Sequence, residues 1–192
     1  MSGDLGAKPG EVHDAAHDVL RFWFEDVPPE KRFARDEALD RTIAERFGAL
    51  RERVVASDAA GWGNDPDTLL AAIILLDQFS RNIHRGTAGA FAADALALKL
   101  TKRAIILAWD DGLPVERRAF LYMPMMHSED RAVQAKSLMW FERLGDEENL
   151  TYAREHEAVI ARFGRFPSRN AALGRESTPE ELDYLSQPDA GW

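Results

Sequence analysis

The chain has no cysteine, which removes disulfides, thiolate nucleophiles and thiolate metal sites together. It has no excess of positive charge: 24 lysines and arginines face 33 aspartates and glutamates, a formal net charge of −9. A nucleic-acid footprint needs a basic face, and docking on anionic lipid needs the same sign, so neither nucleic acid nor membrane is an expected partner. Long hydrophobic runs are missing as well. The longest, Leu69 to Leu76, is eight residues, far below the ~20 that span a bilayer. The first ten residues lack the apolar stretch of a signal peptide, and a cytoplasmic location is the expectation. No stretch alternates with period two, so no sheet is expected.

What is present is helical periodicity. The 192 residues suit one domain, read as a loose segment at 1–10, a single all-α domain at 11–186 and a tail at 187–192. Val12, Ala16, Val19 and Trp23 mark a helix over 11–25, with Phe22-Trp23-Phe24 as a core plug and Pro28-Pro29 as its stop. Leu39, Ile43, Phe47, Leu50 and Val54 mark a second over 36–56, and the charges between 30 and 53 read as wet surface. A third, over 67–82, is apolar all round and therefore central. Its last turn changes to Asp77-Gln78-Phe79-Ser80-Arg81-Asn82. A long helix over 88–110 ends at Asp110-Asp-Gly112, with Gly112 expected in the left-handed region. After Pro114 comes a helix over 115–126 that Pro124 should kink or stop. Met123, Met125 and Met126 around it read as core filling. Ser128 is the expected cap of the next helix, which runs to Leu144 before Gly145. Another spans 147–163 and places His156 on its inward stripe. Thr178-Pro179-Glu180-Glu181 starts a last short one. About eight helices, stacked as hairpins, are expected.

One stretch opposes the acidic background. Arg162, Arg165, Arg169 and Arg175 fall within fourteen residues that contain no acid. Each guanidinium is permanently charged and offers a planar fork of donors, so the group either pairs with the chain's own carboxylates or receives an anion.

Four segments carry a resemblance: Phe22-Trp23-Phe24, Leu75-Leu-Asp-Gln-Phe-Ser-Arg-Asn82, Phe120-Leu-Tyr-Met-Pro-Met-Met-His-Ser-Glu-Asp130 and Arg162-Phe-Gly-Arg-Phe-Pro-Ser-Arg-Asn170. Together they resemble the domain-of-unknown-function family number nine hundred and twenty-four, over nearly the whole chain. The resemblance implies a right-handed superhelix like that of tetratricopeptide repeats, and no established activity. The family usually has histidine where this chain has Ser168 and proline where it has Ser80, so a mechanism resting on that histidine does not transfer.

The polar residues of these segments form the candidate site. Asp77, Gln78, Arg81 and Asn82 come from a helix end, and Asp130, with His127 and Glu129, from a helix start. His156 comes from an inward stripe, and Arg165, Arg169 and Asn170 from the loop. Convergence in one concave pocket is expected. As a binding site it would take a carboxylate or phosphate of a peptide or small metabolite, held by arginine forks with Asn and Gln adding neutral bonds. As an enzyme it would be a metal-independent hydrolase, with His127 or His156 beside Glu129 or Asp130 activating water and the arginines holding an anionic substrate. No nucleophile elbow marks a serine. Neither a metal nor a cofactor is expected: the spacing of His127, Glu129, Asp130 and His156 matches no ligand motif, and arginines repel cations. Internal pairing of the arginines with Asp77, Glu129 and Asp130 is the structural alternative.

Overall fold

The computed structural model describes residues 9–187. The segment 1–8 and the residues 188–192 lie outside it, and with them most of the expected loose terminus and tail. Pro9 and Gly10 belong to the first turn of a helix instead; proline suits that position because its fixed φ is already helical and its missing N–H would be unbonded there.

Regular structure among the described residues is entirely helical. Helix α1 (Pro9–Arg21) runs into a π-helical turn, Phe22–Asp26. A short α2 (Pro29–Arg32) precedes α3 (Glu37–Ala56). Helix α4 (Pro66–Ile73), a π-helical segment (Ile74–Phe79) and α5 (Ser80–Ile83) run on from one another as a single rod. Helix α6 (Asp94–Ile106) comes after a 3-10 turn at Ala88–Ala90. Helices α7 (Val115–Met126), α8 (Arg131–Leu144) and α9 (Glu147–Phe163) lead to a 3-10 turn, Pro167–Arg169, and to α10 (Pro179–Leu185).

Successive helices pack together at the C-terminal end, α7 on α8 and α8 on α9. The N-terminal half is not a row of hairpins: α1 lies against α4, and α3 against α5 and the π-helical segment. Helix α4 also touches α6 and α7. The central rod is therefore walled on all sides, and every residue from Leu69 to Phe79 is buried. The aromatic plug behaves as expected. Trp23 sits edge-on to Phe79 and Phe120, and Phe22 tilts against Phe47. Met123, Met125 and Met126 are buried core residues. Pro124 is carried inside α7, which continues for two residues beyond it.

Three boundaries differ from the sequence reading. Helix α6 starts at Asp94, not 88, and stops at Ile106. The left-handed residue after it is Ala108 (φ 53), while Gly112 has no positive φ. The adjoining loop is tied instead by Asp110, which is buried and accepts a 2.5 Å hydrogen bond from Tyr122 Oη. Helix α8 is capped by Asp130, not Ser128: the Asp130 carboxylate accepts from the backbone N–H groups of Ala132 and Val133. Gly145 and Gly164 do end α8 and α9 in the left-handed region, at φ 76 and 71.

The charges between 30 and 53 are not all wet surface. Arg32 is 7 % exposed and Arg51 4 %. A π-helical end leaves carbonyls without intrahelical donors, and Arg32 supplies them: it donates to the carbonyls of Trp23 (2.8 Å), Phe24 (3.0 Å) and Val27 (3.2 Å) while pairing with Glu116. Arg51 donates from Nε to Ser80 Oγ at 3.0 Å. A proline at position 80 would offer no such acceptor. Arg32→Ala should cost about 3 kcal/mol, since it orphans three carbonyls as well as a charge. Glu116→Ala should cost less, about 1–2 kcal/mol: it takes the counter-charge from the buried Arg32, but three carbonyls still hold the guanidinium. Denaturant unfolding of both variants checks the contrast, and equal losses would mean that the ion pair, not the capping, matters.

Candidate functional site

The site begins in the π-helical segment. An extra residue in one turn of a helix shifts the register of every residue after it, and such turns concentrate at functional sites. Asp77 and Gln78 lie in this turn, and Arg81 lies one turn on. The Asp77 side chain is only 1 % exposed. Its oxygens are fully used: Gln78 Nε2 donates to Oδ2 at 2.6 Å, His127 Nδ1 meets Oδ1 at 2.8 Å, and Arg81 Nη1 is 3.1 Å from Oδ1. Burial alone would raise this carboxyl; the Arg81 charge and the bonds from His127 and Gln78 outweigh it and hold Asp77 well below the usual carboxylate range. An ionised carboxylate can only accept, so His127 Nδ1 carries the proton and Nε2 keeps its lone pair. Burial pushes the His127 pKa below its ordinary value, and the imidazole is neutral near pH 7.

Arg81 reaches outward from Asp77 to a second carboxylate. Its Nη1 and Nη2 bond Asp94 Oδ1 and Oδ2 at 3.0 and 3.1 Å. Arg169 meets the same group, with Nη1 at 3.2 Å from Asp94 Oδ2, and its Nη2 donates to the His127 carbonyl at 2.8 Å. Its guanidinium lies 4.6 Å from the ring centres of both Phe91 and Phe166, contacts in which an aromatic face attracts a cation. Burial, reinforced by Arg81, pulls the Arg169 pKa down to about 10, and the group stays charged at neutral pH. His156 is buried, with Nδ1 2.8 Å from the Tyr152 carbonyl and its ring 5.9 Å from that of His127. Exposure rises from the buried Asp77 to Arg81 and Asp94, each about a fifth exposed. Among the described residues no group of three or more His, Asp or Glu is placed to hold a metal ion.

Asp77, Gln78, Arg81, His127, His156 and Arg169 are thus brought together. The remaining predicted residues go elsewhere. Asn82 donates to Asp40 at 2.8 Å, alongside Arg85. Asp130 caps α8. Arg165 forks onto Glu181 at 2.6 and 2.8 Å, and Asn170 donates to Glu181 and Ser177. Glu129, at the edge of the group, accepts from Phe166 N and from both Nη atoms of Arg175. Arg162 pairs with Glu180. Most of the arginine-rich loop therefore ties the C-terminal segment to the stack. Ser168 is exposed and lies on the outer side of the 3-10 turn that delivers Arg169.

Asp94, Phe91 and Glu181 have functional or anchoring positions that sequence reasoning missed. For Asp94 there was one signal: it is the single acid of α6. With the helix expected from 88, Asp94 fell inside it as an ordinary surface acid, and nothing local pointed to partners 13 and 75 positions away.

The charge states create several acid-labile contributions, of which His156 and Glu181 act in separate pH ranges. Burial holds His156 at about 3, below its ordinary 6.5. A folded pKa below the unfolded one gives stability that is complete above about pH 6.5 and falls as pH drops toward 3. The Arg165 fork holds Glu181 at about 2, below 4.5; its contribution is complete above about pH 4.5 and is lost toward 2. His156→Phe should flatten the upper part of the acid limb, by about 1 kcal/mol per pH unit. Glu181→Gln should make the lower part shallower, to which Asp77 and Glu129 also contribute, and cost about 2 kcal/mol at neutral pH. Melting temperature against pH for the three proteins tests both, and a limb unchanged in either variant would remove that residue from the account.

No curated protein matches the chain. A solved structure, the protein of unknown function ATU0120 from Agrobacterium tumefaciens, is similar at 38% sequence identity with a TM-score of 0.86, over 91% of this chain and 98% of that one. The family of bacterial proteins of unknown function DUF924 matches residues 19–189, and the chain belongs to that family.

Proposed function

We propose that the protein is a cytoplasmic binder of a small anionic molecule, or of the anionic end of a peptide, and that the ligand is held between Arg81 and Arg169. One observation carries this reading: two guanidiniums from distant parts of the chain converge on a single, partly exposed carboxylate. Convergent forks of this kind suit carboxylate or phosphate. Both arginines are held before any ligand arrives, Arg81 by the Asp77 carbonyl at 2.7 Å and Arg169 by the His127 carbonyl and two rings, and preorganisation lowers the entropy lost on binding.

The Asp77–His127 pair favours a second reading, a metal-independent hydrolase of an anionic metabolite. A neutral imidazole oriented by a buried carboxylate through Nδ1 has a lone pair at Nε2 for activating water. Turnover would then need His127, while binding would need only the arginines.

A thermal-shift panel of carboxylates, phosphates and C-terminal peptides tests the binding reading. A ligand that binds only the folded state raises the melting temperature. Arg169→Lys keeps the charge but loses the fork and the ring stacking; it should remain folded and weaken any hit roughly tenfold or more. Hydrolysis of a hit by the wild type, abolished in His127→Asn with binding retained, would establish the second reading. A panel without a single hit, or hits indifferent to Arg169→Lys, would end the proposal.

A further inference from the structure

We propose that Asp94 is an internal stand-in for the carboxylate of the ligand, and that the site takes a carboxylic acid by displacing it. This rests on the anion-binding reading above and adds the ligand class and a built-in competitor.

The first support is the geometry of the occupied slot. Asp94 presents both oxygens to the Arg81 fork and shares Oδ2 with Arg169. The space between the two guanidiniums is therefore shaped by a planar carboxylate, not by a tetrahedral phosphate.

The second is an asymmetry in what holds each partner. The arginines keep their anchors without Asp94: Arg81 on the Asp77 carbonyl, Arg169 on the His127 carbonyl and against Phe91 and Phe166. Asp94 has no comparable anchor. Among the described residues its carboxylate bonds these two arginines alone, and no side chain caps the start of α6. The other arginine-paired carboxylates nearby are different: Asp77 is also held by Gln78 and His127. Glu129 also accepts from Phe166 N, and Glu181 from Thr178 N and Asn170. Their departure would orphan backbone donors, whereas that of Asp94 orphans none.

The third is where the displaced group would go. Asp94 is the first residue of a 13-residue helix, and a carboxylate released there remains in the favourable field of the helix N-terminus. Its side chain is already about a fifth exposed, so the slot is not sealed from solvent.

The fourth is charge balance. Asp77, Asp94 and Glu129 offset Arg81, Arg169 and Arg175, with His127 and His156 neutral. Three charges of each sign leave no net attraction for an incoming anion. Without Asp94 the same group has one positive charge in excess, and a ligand carboxylate restores the balance. Ligand affinity in the wild type is thus reduced by the fraction of time Asp94 occupies the slot.

Calorimetric titration in low-chloride buffer with sodium acetate, and with inorganic phosphate as the contrast, tests this on the wild type, Asp94→Ala and Asp94→Asn. Acetate should bind both variants roughly tenfold tighter or more than the wild type, as removal of a mostly bound competitor requires. Phosphate should gain less, and adding Arg169→Lys to Asp94→Ala should abolish the gain. Asp94→Asn keeps the shape of the side chain and reports even where Asp94→Ala fails to fold. Equal acetate affinity in wild type and variants overturns the stand-in, while wild-type binding that is lost in Arg169→Lys would leave the anion site standing. A larger gain for phosphate overturns the carboxylate class. No acetate or phosphate binding by any of the proteins overturns the stand-in and the anion site together.

Discussion

A carboxylate with 1 % of its side chain exposed dictates most of its surroundings. Asp77 lies in the most buried rod of the fold, where an unpaired charge is strongly destabilising. It survives there because three donors reach it: Gln78 from the next position, Arg81 from the next turn and His127 from the end of α7. Those donors recruit further elements. Arg81 brings Asp94 and hence the start of α6; the His127 carbonyl brings Arg169 and hence the loop after α9. Segments separated by up to 75 positions are fixed relative to one another through a polar chain that starts from one buried charge. Such networks are stabilising only when every member is satisfied, which explains why so many side chains at this end of the rod are polar and so few are idle.

Helix existence was legible from the 3.6-residue period, and some boundaries from terminal chemistry. Gly145 and Gly164 end α8 and α9 where a left-handed residue is needed, and Thr178 with Glu181 forms the capping box that starts α10. The π-helical segments were not legible. Leu69 to Phe79 is buried all round, so no change of face betrays the extra residue in the turn. The end of α6 is set by Ala108 in the left-handed region, with the loop beyond tied by Asp110 to Tyr122, neither of which propensity anticipates. Arg32 and Arg51 were read as wet because arginine usually is. Each instead meets acceptors that a fold creates: frayed carbonyls for the first, the Ser80 hydroxyl for the second.

Half of the site was legible for the same reason the helices were. Asp77 and Arg81 are four apart, and His156 falls on a buried stripe; both are statements about helical faces. The arginine-rich loop shows the limit. Its charge was plain, but which carboxylates it would meet was not, since Arg175 finds Glu129 across 46 positions and Arg165 finds Glu181 across 16. Local charge density says that partners are required. Topology alone says whether they come from the chain or from a ligand.

The loop after α9 therefore performs two tasks that depend on each other. Gly164 stops the helix, Phe166 N–H is held by Glu129, and Arg165 and Asn170 are held by Glu181. These ties flank Arg169 on both sides in sequence, and the 3-10 turn Pro167–Arg169 between them has little freedom left. A guanidinium on a loose loop would lose several rotamers' worth of entropy on gripping anything. On this loop that entropy is already lost in folding, at the expense of Arg165, Arg175, Glu129 and Glu181 rather than of a ligand. The abundance of paired arginines around Arg169 is for this reason no argument against a site there. Locked neighbours are what a precisely positioned arginine requires.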